Sequence, residues 1–134
     1  MTIVRKIVLV VICIMVLSGG LIGGKYLISV HKYKKIVSEL KIGSVDLSKV
    51  SDGIYTGSCN AEFVAAKVSV TVKDHKIKDI ILLSHKTERG KSAEVIPGNV
   101  VKAQNLHVDT ITGATNSSKV ILKSIEIALN AGKS

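Results

Sequence analysis

Apolar and polar positions follow three different rhythms along this chain. From Ile7 to Gly24 eighteen residues pass without a charge. As a helix they rise roughly 27 Å, close to the hydrocarbon thickness of a bilayer. Tyr26, Leu27 and Ile28 lengthen the span if Lys25 snorkels. The segment therefore predicts a transmembrane helix. Cleavage as a signal peptide needs small residues behind the apolar core. Ser18-Gly19-Gly20 supplies them without an Ala-x-Ala pattern, so an uncleaved anchor is expected. Lipidation does not fit Cys13, which lies inside the run behind Ile12.

The second rhythm has a period of three to four. Leu27, Val30, Tyr33, Ile36/Val37 and Leu40 recur with Lys32, Lys34 and Lys35 between them. This predicts that the helix continues beyond the membrane as a basic amphipathic stem, either a solvated spacer or a headgroup-binding surface. Residues 1–41 form the anchor and stem, and 42–51 a connector in which Asp46–Val50 can make one helical turn. Residues 52–134 are left for a small domain.

The third rhythm is alternation. Asp52–Gly57 reads as a turn entering a short strand. Val64, Ala66, Val68, Val70 and Val72 point one way, and Ala65, Lys67, Ser69 and Thr71 the other, which is a half-buried strand. Lys73-Asp74-His75-Lys76 reverses the chain, with Asp-His in place of Asp-Gly, so His75 is a candidate for positive φ. Ile77–His85 returns. Its alternation fails across Asp79–Leu83, which predicts a bulge or a doubly buried stretch. Ser92–Ile96 and Asn99–Asn105 read as helices interrupted at Pro97-Gly98. Leu106–Ile111 is expected to be extended and Thr112–Thr115 to be a polar turn. Ser117–Asn130 is the strongest helix, with Val120, Ile121, Ile125, Ala128 and Leu129 on one face and Gly132 just past its end. The expected class is α+β: a small antiparallel sheet packed with helices, preceded by one N-terminal transmembrane helix.

Charge and composition remove several function classes. The chain has 134 residues and a net charge of +9, but residues 1–41 carry seven Lys/Arg against Glu39 alone. Residues 42–134 hold twelve basic and nine acidic residues, and the aromatics of the whole chain are only Tyr26, Tyr33, Tyr55 and Phe63. Binding of single-stranded nucleic acid needs a basic groove with stacking rings, so no nucleic-acid partner is expected. Positive charge clustered beside an apolar helix suits anionic lipid headgroups instead. Two cysteines, one of them inside the apolar run, do not make a disulfide scaffold. No CxxC, HExxH, GxSxG or P-loop occurs, and His31, His75, His85 and His107 show no metal-ligand spacing. No metal site and no catalytic residue is expected. By position alone His85 and His107 are surface or rim residues.

One segment carries chemistry: Asp109-Thr-Ile-Thr112-Gly113-Ala114-Thr115, followed by Asn116-Ser-Ser118. Read from residue types alone it is a strand-to-helix connection rich in capping residues. Its spacing favours that structural reading, but it still makes a good phosphate site, because Thr115 immediately precedes a helix whose first N–H groups and positive dipole end favour an anion.

Asp-x-x-Ser/Thr-Gly-Ala-Thr resembles the flavinylation motif of the FMN-binding domain family, and all of its fixed positions are filled. Asp52-Gly-Ile-Tyr-Thr-Gly57, the Val-rich hairpin, His85, Gly90, Ala93-Glu94, Gln104 and the closing helix resemble the family too, over residues 50–131. The chain looks like a short membrane-anchored form, similar to the flavoprotein subunits of Rnf and Na⁺-translocating NADH:quinone reductase complexes. The resemblance implies FMN esterified through its phosphate to Thr115 by a flavin transferase that takes it from FAD. It makes Asp109, Thr112, Gly113, Ala114, Thr115, Ser118 and His85 the cofactor-binding residues. Those large subunits carry His-x-Glu-Thr-Pro-Gly near the flavin. Here His85-Lys-Thr-Glu-Arg-Gly90 exchanges Glu with Thr and lacks the Pro.

The function implied is electron transfer between a membrane redox donor, a dehydrogenase or the quinone pool, and an extracytoplasmic acceptor. That makes the chain an electron-transfer protein or complex subunit rather than a stand-alone enzyme. Alternatives are a non-catalytic membrane-bound interaction module and a non-covalent FMN binder. Arg5 and Lys6 flank one side of the span, and Lys25, Lys32, Lys34, Lys35 and Lys41 the other. Charge alone would hold the domain in the cytoplasm. The resemblance implies a single-pass protein of the cell membrane with the domain outside the cytoplasm.

Overall fold

The computed structural model describes residues 2–133. It forms two units, the first ending at Lys34 and the second beginning at Lys35. The first is made of helix α1, Thr2–Glu39, whose last turns belong to the second. At 38 residues α1 is roughly 57 Å long, well beyond a bilayer's hydrocarbon core. Apolar side chains from Ile3 to Ile28 are exposed along it. By length and composition α1 is a possible membrane span.

The second unit is an antiparallel sheet in the order β1-β2-β3 (Gly53–Ala61, Val64–Lys73, Lys76–Lys86), backed by helix α3, Thr115–Ala131. The expected alternation of β2 is present. Val64, Ala66, Val68, Val70 and Val72 are all buried. They meet Val120, Ile121, Ile125, Ala128 and Leu129 of α3, buried as the helical period requires. Gly57 of β1 lies directly against the backbone of α3. A Cβ there would lie 2.0 Å from the Ser124 carbonyl and 2.6 Å from the Ala128 nitrogen. The β2–β3 turn uses positive φ at both Asp74 and His75, the geometry of a type I′ turn.

β3 settles the irregular stretch in favour of bulges. Its pairing with β2 shifts register twice, so Val72, Val70, Val68 and Ala66 face Ile77, Ile80, Leu82 and His85. Asp79 is thereby kept off the core face, and Ile81 and Leu83 turn to solvent at 53% and 51% exposure. His85 arrives on the core side.

A 3-10 turn (Lys91–Val95) leads straight into α2, Ile96–Ala103. The expected interruption at Pro97-Gly98 is absent. Pro97 sits in the first turn of α2, where its missing N–H costs no helical bond. Gln104, in the left-handed region, ends α2. Its side chain accepts from the Ile77 amide (2.9 Å) and donates to the Ile77 carbonyl (2.8 Å), pairing with β3 as another strand would. Leu106–Ile111 joins no ladder. The connector makes its one turn at Leu47–Lys49, capped by Asp46, whose carboxylate accepts from the Ser48 amide and hydroxyl. The Ser48 hydroxyl, and next its amide, hold the Asp46 carboxyl below its ordinary value.

Candidate functional site

The motif folds into a turn and the start of α3. The Ala114 amide donates to the Ile111 carbonyl at 2.9 Å, and Gly113 has φ +81°. Thr112 is not in the positive-φ region, so this is a type II turn, whose third position glycine fills without strain. A Cβ on Gly113 would touch nothing. Backbone conformation, not space, asks for glycine there.

α3 begins two residues before Ser117, so Thr115 is its first residue and Ala114 its N-cap. The capping that the Asp, Thr and Ser residues suggested is not made: Ala114 has no side-chain acceptor, and no acidic residue lies in the first turn. The positive end of the dipole is therefore not offset by side-chain charge of the helix itself. Thr115 is exposed, as are Asp109, Thr112 and Gly113, whereas Ala114, Ser117 and Ser118 are buried. An exposed hydroxyl at the mouth of a helix with a buried body can be reached by another protein.

Ser118 holds the turn to the helix. Its Oγ accepts from the Ile111 amide at 3.0 Å and donates to the Ala114 carbonyl at 2.8 Å. The loop after β3 is fastened to the same end of α3. The hydroxyls of Thr87 and Ser117 share a hydrogen bond at 3.1 Å, and the Gly90 amide donates to Thr87 Oγ1 at 2.8 Å. A Cβ on Gly90 would lie 1.9 Å from Ser117 Oγ, so only glycine lets this loop close. Thr87 and Ser117 are not among the residues singled out by sequence. Pairs of hydroxyls thirty positions apart leave no signal in one chain.

His85 corrects the sequence expectation. Its side chain is 2% exposed rather than on the surface. Its Nδ1 lies 3.1 Å from Glu94 Oε1, and its Nε2 is buried without a hydrogen-bond partner among the described residues. His107 is exposed as expected, bonded to the Ser44 hydroxyl. No group of three or more His, Cys, Asp or Glu among the described residues is placed to hold a metal ion. Cys59 is a poor nucleophile, because burial pushes its thiol up, partly countered by Lys123.

The model of the FMN-binding domain family matches residues 65–130, from β2 to the last turn of α3. This domain belongs to the FMN-binding domain family. The match contains the type II turn, Thr115, Ser118 and His85, and leaves β1 outside. The chain is also 33% identical over 85 residues, 61% of its length, to NADH:acrylate oxidoreductase of Vibrio harveyi. It spans 8% of that protein's length. No solved structure matches. The residues present suit a phosphorylated flavin on two counts. The uncapped α3 N-terminus favours a phosphate, and a buried imidazole nitrogen lacks a partner among the described residues.

Proposed function

We propose that this FMN-binding domain is a membrane-anchored electron carrier whose FMN is joined by a phosphoester to Thr115. The observation that carries the reading is the exposed Thr115 hydroxyl at the uncapped start of α3, last in an unbroken Asp109-x-x-Thr112-Gly113-Ala114-Thr115 motif. In the attachment step the Thr115 oxygen bonds to the flavin-side phosphorus of FAD, AMP leaves, and the hydroxyl proton is released. An alcohol is a weak nucleophile at neutral pH, so activation belongs to the flavin transferase and its metal. Asp109 and Thr112 stand exposed beside the turn for that enzyme to recognise. Gly113 and Ser118 hold the turn so that Thr115 points outward, and the α3 N-terminus stabilises the phosphodiester charge. Bound FMN would supply the redox chemistry, and the protein its placement and electrostatics.

The similarity to NADH:acrylate oxidoreductase supports an oxidoreductase context. With α1 as the anchor, the donor is a membrane dehydrogenase or the quinone pool, and the acceptor lies outside the cytoplasm. The test is co-expression of the full chain with a flavin transferase. Intact mass should rise by one FMN less water, the band should fluoresce after denaturing electrophoresis, and Thr115→Ala should abolish both. Flavin that departs on denaturation would establish a non-covalent binder. A colourless protein would leave only a membrane-bound interaction module.

A further inference from the structure

The two bulges of β3 deliver His85 to the core face, opposite Ala66. Its imidazole is almost wholly buried. Glu94, in the 3-10 turn ahead of α2, meets Nδ1 at 3.1 Å. A carboxylate only accepts, so the hydrogen of a neutral imidazole is fixed on Nδ1. Nε2 then presents a lone pair, and it has no partner among the described residues. Leaving such an atom buried and unpaired is costly. Two residues further on, Thr87 bonds Ser117, and Gly90 packs against the same serine. The end of β3, the 3-10 turn and the first turn of α3 thus form one cluster, next to the residue that would carry the flavin.

We infer that Glu94 is a positioning residue for the cofactor site: it locks the tautomer of His85 so that Nε2 accepts a hydrogen bond from a ring N–H of the flavin held at Thr115. This rests on the carrier reading above. The isoalloxazine edge offers both N–H groups and carbonyl oxygens. An acceptor-only Nε2 attracts the first and repels the second, and so selects which edge enters. The histidine contributes orientation and a fixed dipole. No proton needs to move.

The test uses full-length protein in detergent micelles with ¹⁵N-labelled histidine, at pH ~8, above the usual imidazole range. His85→Gln assigns the resonances. Before flavin attachment, Nδ1 should show the pyrrole-type signal and Nε2 the pyridine-type signal. The reverse pattern would overturn the lock. After attachment, the Nε2 signal should move in the direction of an accepted hydrogen bond, and an unmoved signal would overturn the flavin contact. Glu94→Gln should load the same mass of flavin yet show mixed His85 tautomers. Its relative affinity for oxidised and reduced ring should change roughly tenfold, ~30 mV for a two-electron couple. Wild-type tautomer and potential in that variant would refute the assignment. Failure of the wild type to take any flavin would sink the carrier reading and, with it, the flavin contact. Flavin attached with His85 unchanged sinks only this inference.

Discussion

Ser118→Ala separates the turn from the helix that holds it, and the structure sets the expected size of the effect. Ser118 Oγ makes two hydrogen bonds in a fully buried position. Its loss does not orphan the Ala114 carbonyl, which still accepts from the Ser118 amide at 2.9 Å. It does remove the acceptor of the Ile111 amide, which is half-buried. One such orphaned donor costs about 1–3 kcal/mol. The gain in helix propensity from Ser to Ala returns ~0.5 kcal/mol. The net expectation is ~1–2 kcal/mol of destabilisation, on the order of 5–30-fold in the folding equilibrium. Ser124→Ala is the matched control. Ser124 Oγ also lies buried in α3, but it only donates, to the carbonyls of Val120 and Ala66, so its removal orphans no amide. It loses about 1 kcal/mol of hydrogen bonding against a helix-propensity gain of ~0.5, so it should cost ~0.5 kcal/mol. Urea denaturation of the full chain in micelles, followed by circular dichroism, gives both values. Hydrogen exchange at the Ile111 amide gives the local effect. If the proposed attachment at Thr115 holds, flavin loading should slow in Ser118→Ala and not in Ser124→Ala. Equal stabilities for the two variants, or unchanged exchange at Ile111, would refute the claim that this hydroxyl secures the turn.

Two further outcomes are expected. Gly57→Ala forces a Cβ against backbone atoms of α3 that cannot rotate away, so it should destabilise by about 3 kcal/mol, the upper end for overpacking; a loss below ~1 kcal/mol in the same denaturation assay would show that α3 can lift off the sheet cheaply. The Asp46 carboxyl is held below its ordinary value of 3.8, so its cap is fully present above that pH and is lost as pH falls through the lower folded value; the Ser48 amide resonance should titrate there, and an amide insensitive to acid would remove the cap from the account.

The sequence was most legible where one periodicity governed a whole element. β2 alternates without fault because α3 covers one of its faces. α3 carries its apolar stripe because the sheet covers that stripe. Asp74-His75 read as a turn from its place between two apolar strands, although neither residue is the glycine that positive φ prefers. Legibility failed where a single residue was inserted. The order Asp79-Ile-Ile-Leu-Leu83 does not say where a bulge falls, so neither the burial of His85 nor the exposure of Ile81 and Leu83 could be assigned. Pro97 misled for a related reason: its ring breaks a helix interior but suits a first turn, and the preceding 3-10 turn moves α2's start to Ile96. At the site, the Thr115 turn could be located from its own residues. Its supports, Thr87, Gly90 and Glu94, come from the far side of the sheet's last strand and depend on tertiary closure.

The unequal count along the β2–β3 ladder has a geometric consequence. Seven residues, Ala66–Val72, run beside nine, Ile77–His85. At about 3.3 Å per residue the second track carries roughly 7 Å of surplus contour. Like the outer rail of a curved line, it must take the longer arc, and each surplus residue sharpens the local coil of the ribbon. The seventeen-residue α3 lies on β1 and β2, while β3 meets α2. The strand with the longer contour is therefore the one that carries the second, shorter helix, so a single three-stranded ribbon seats two helices.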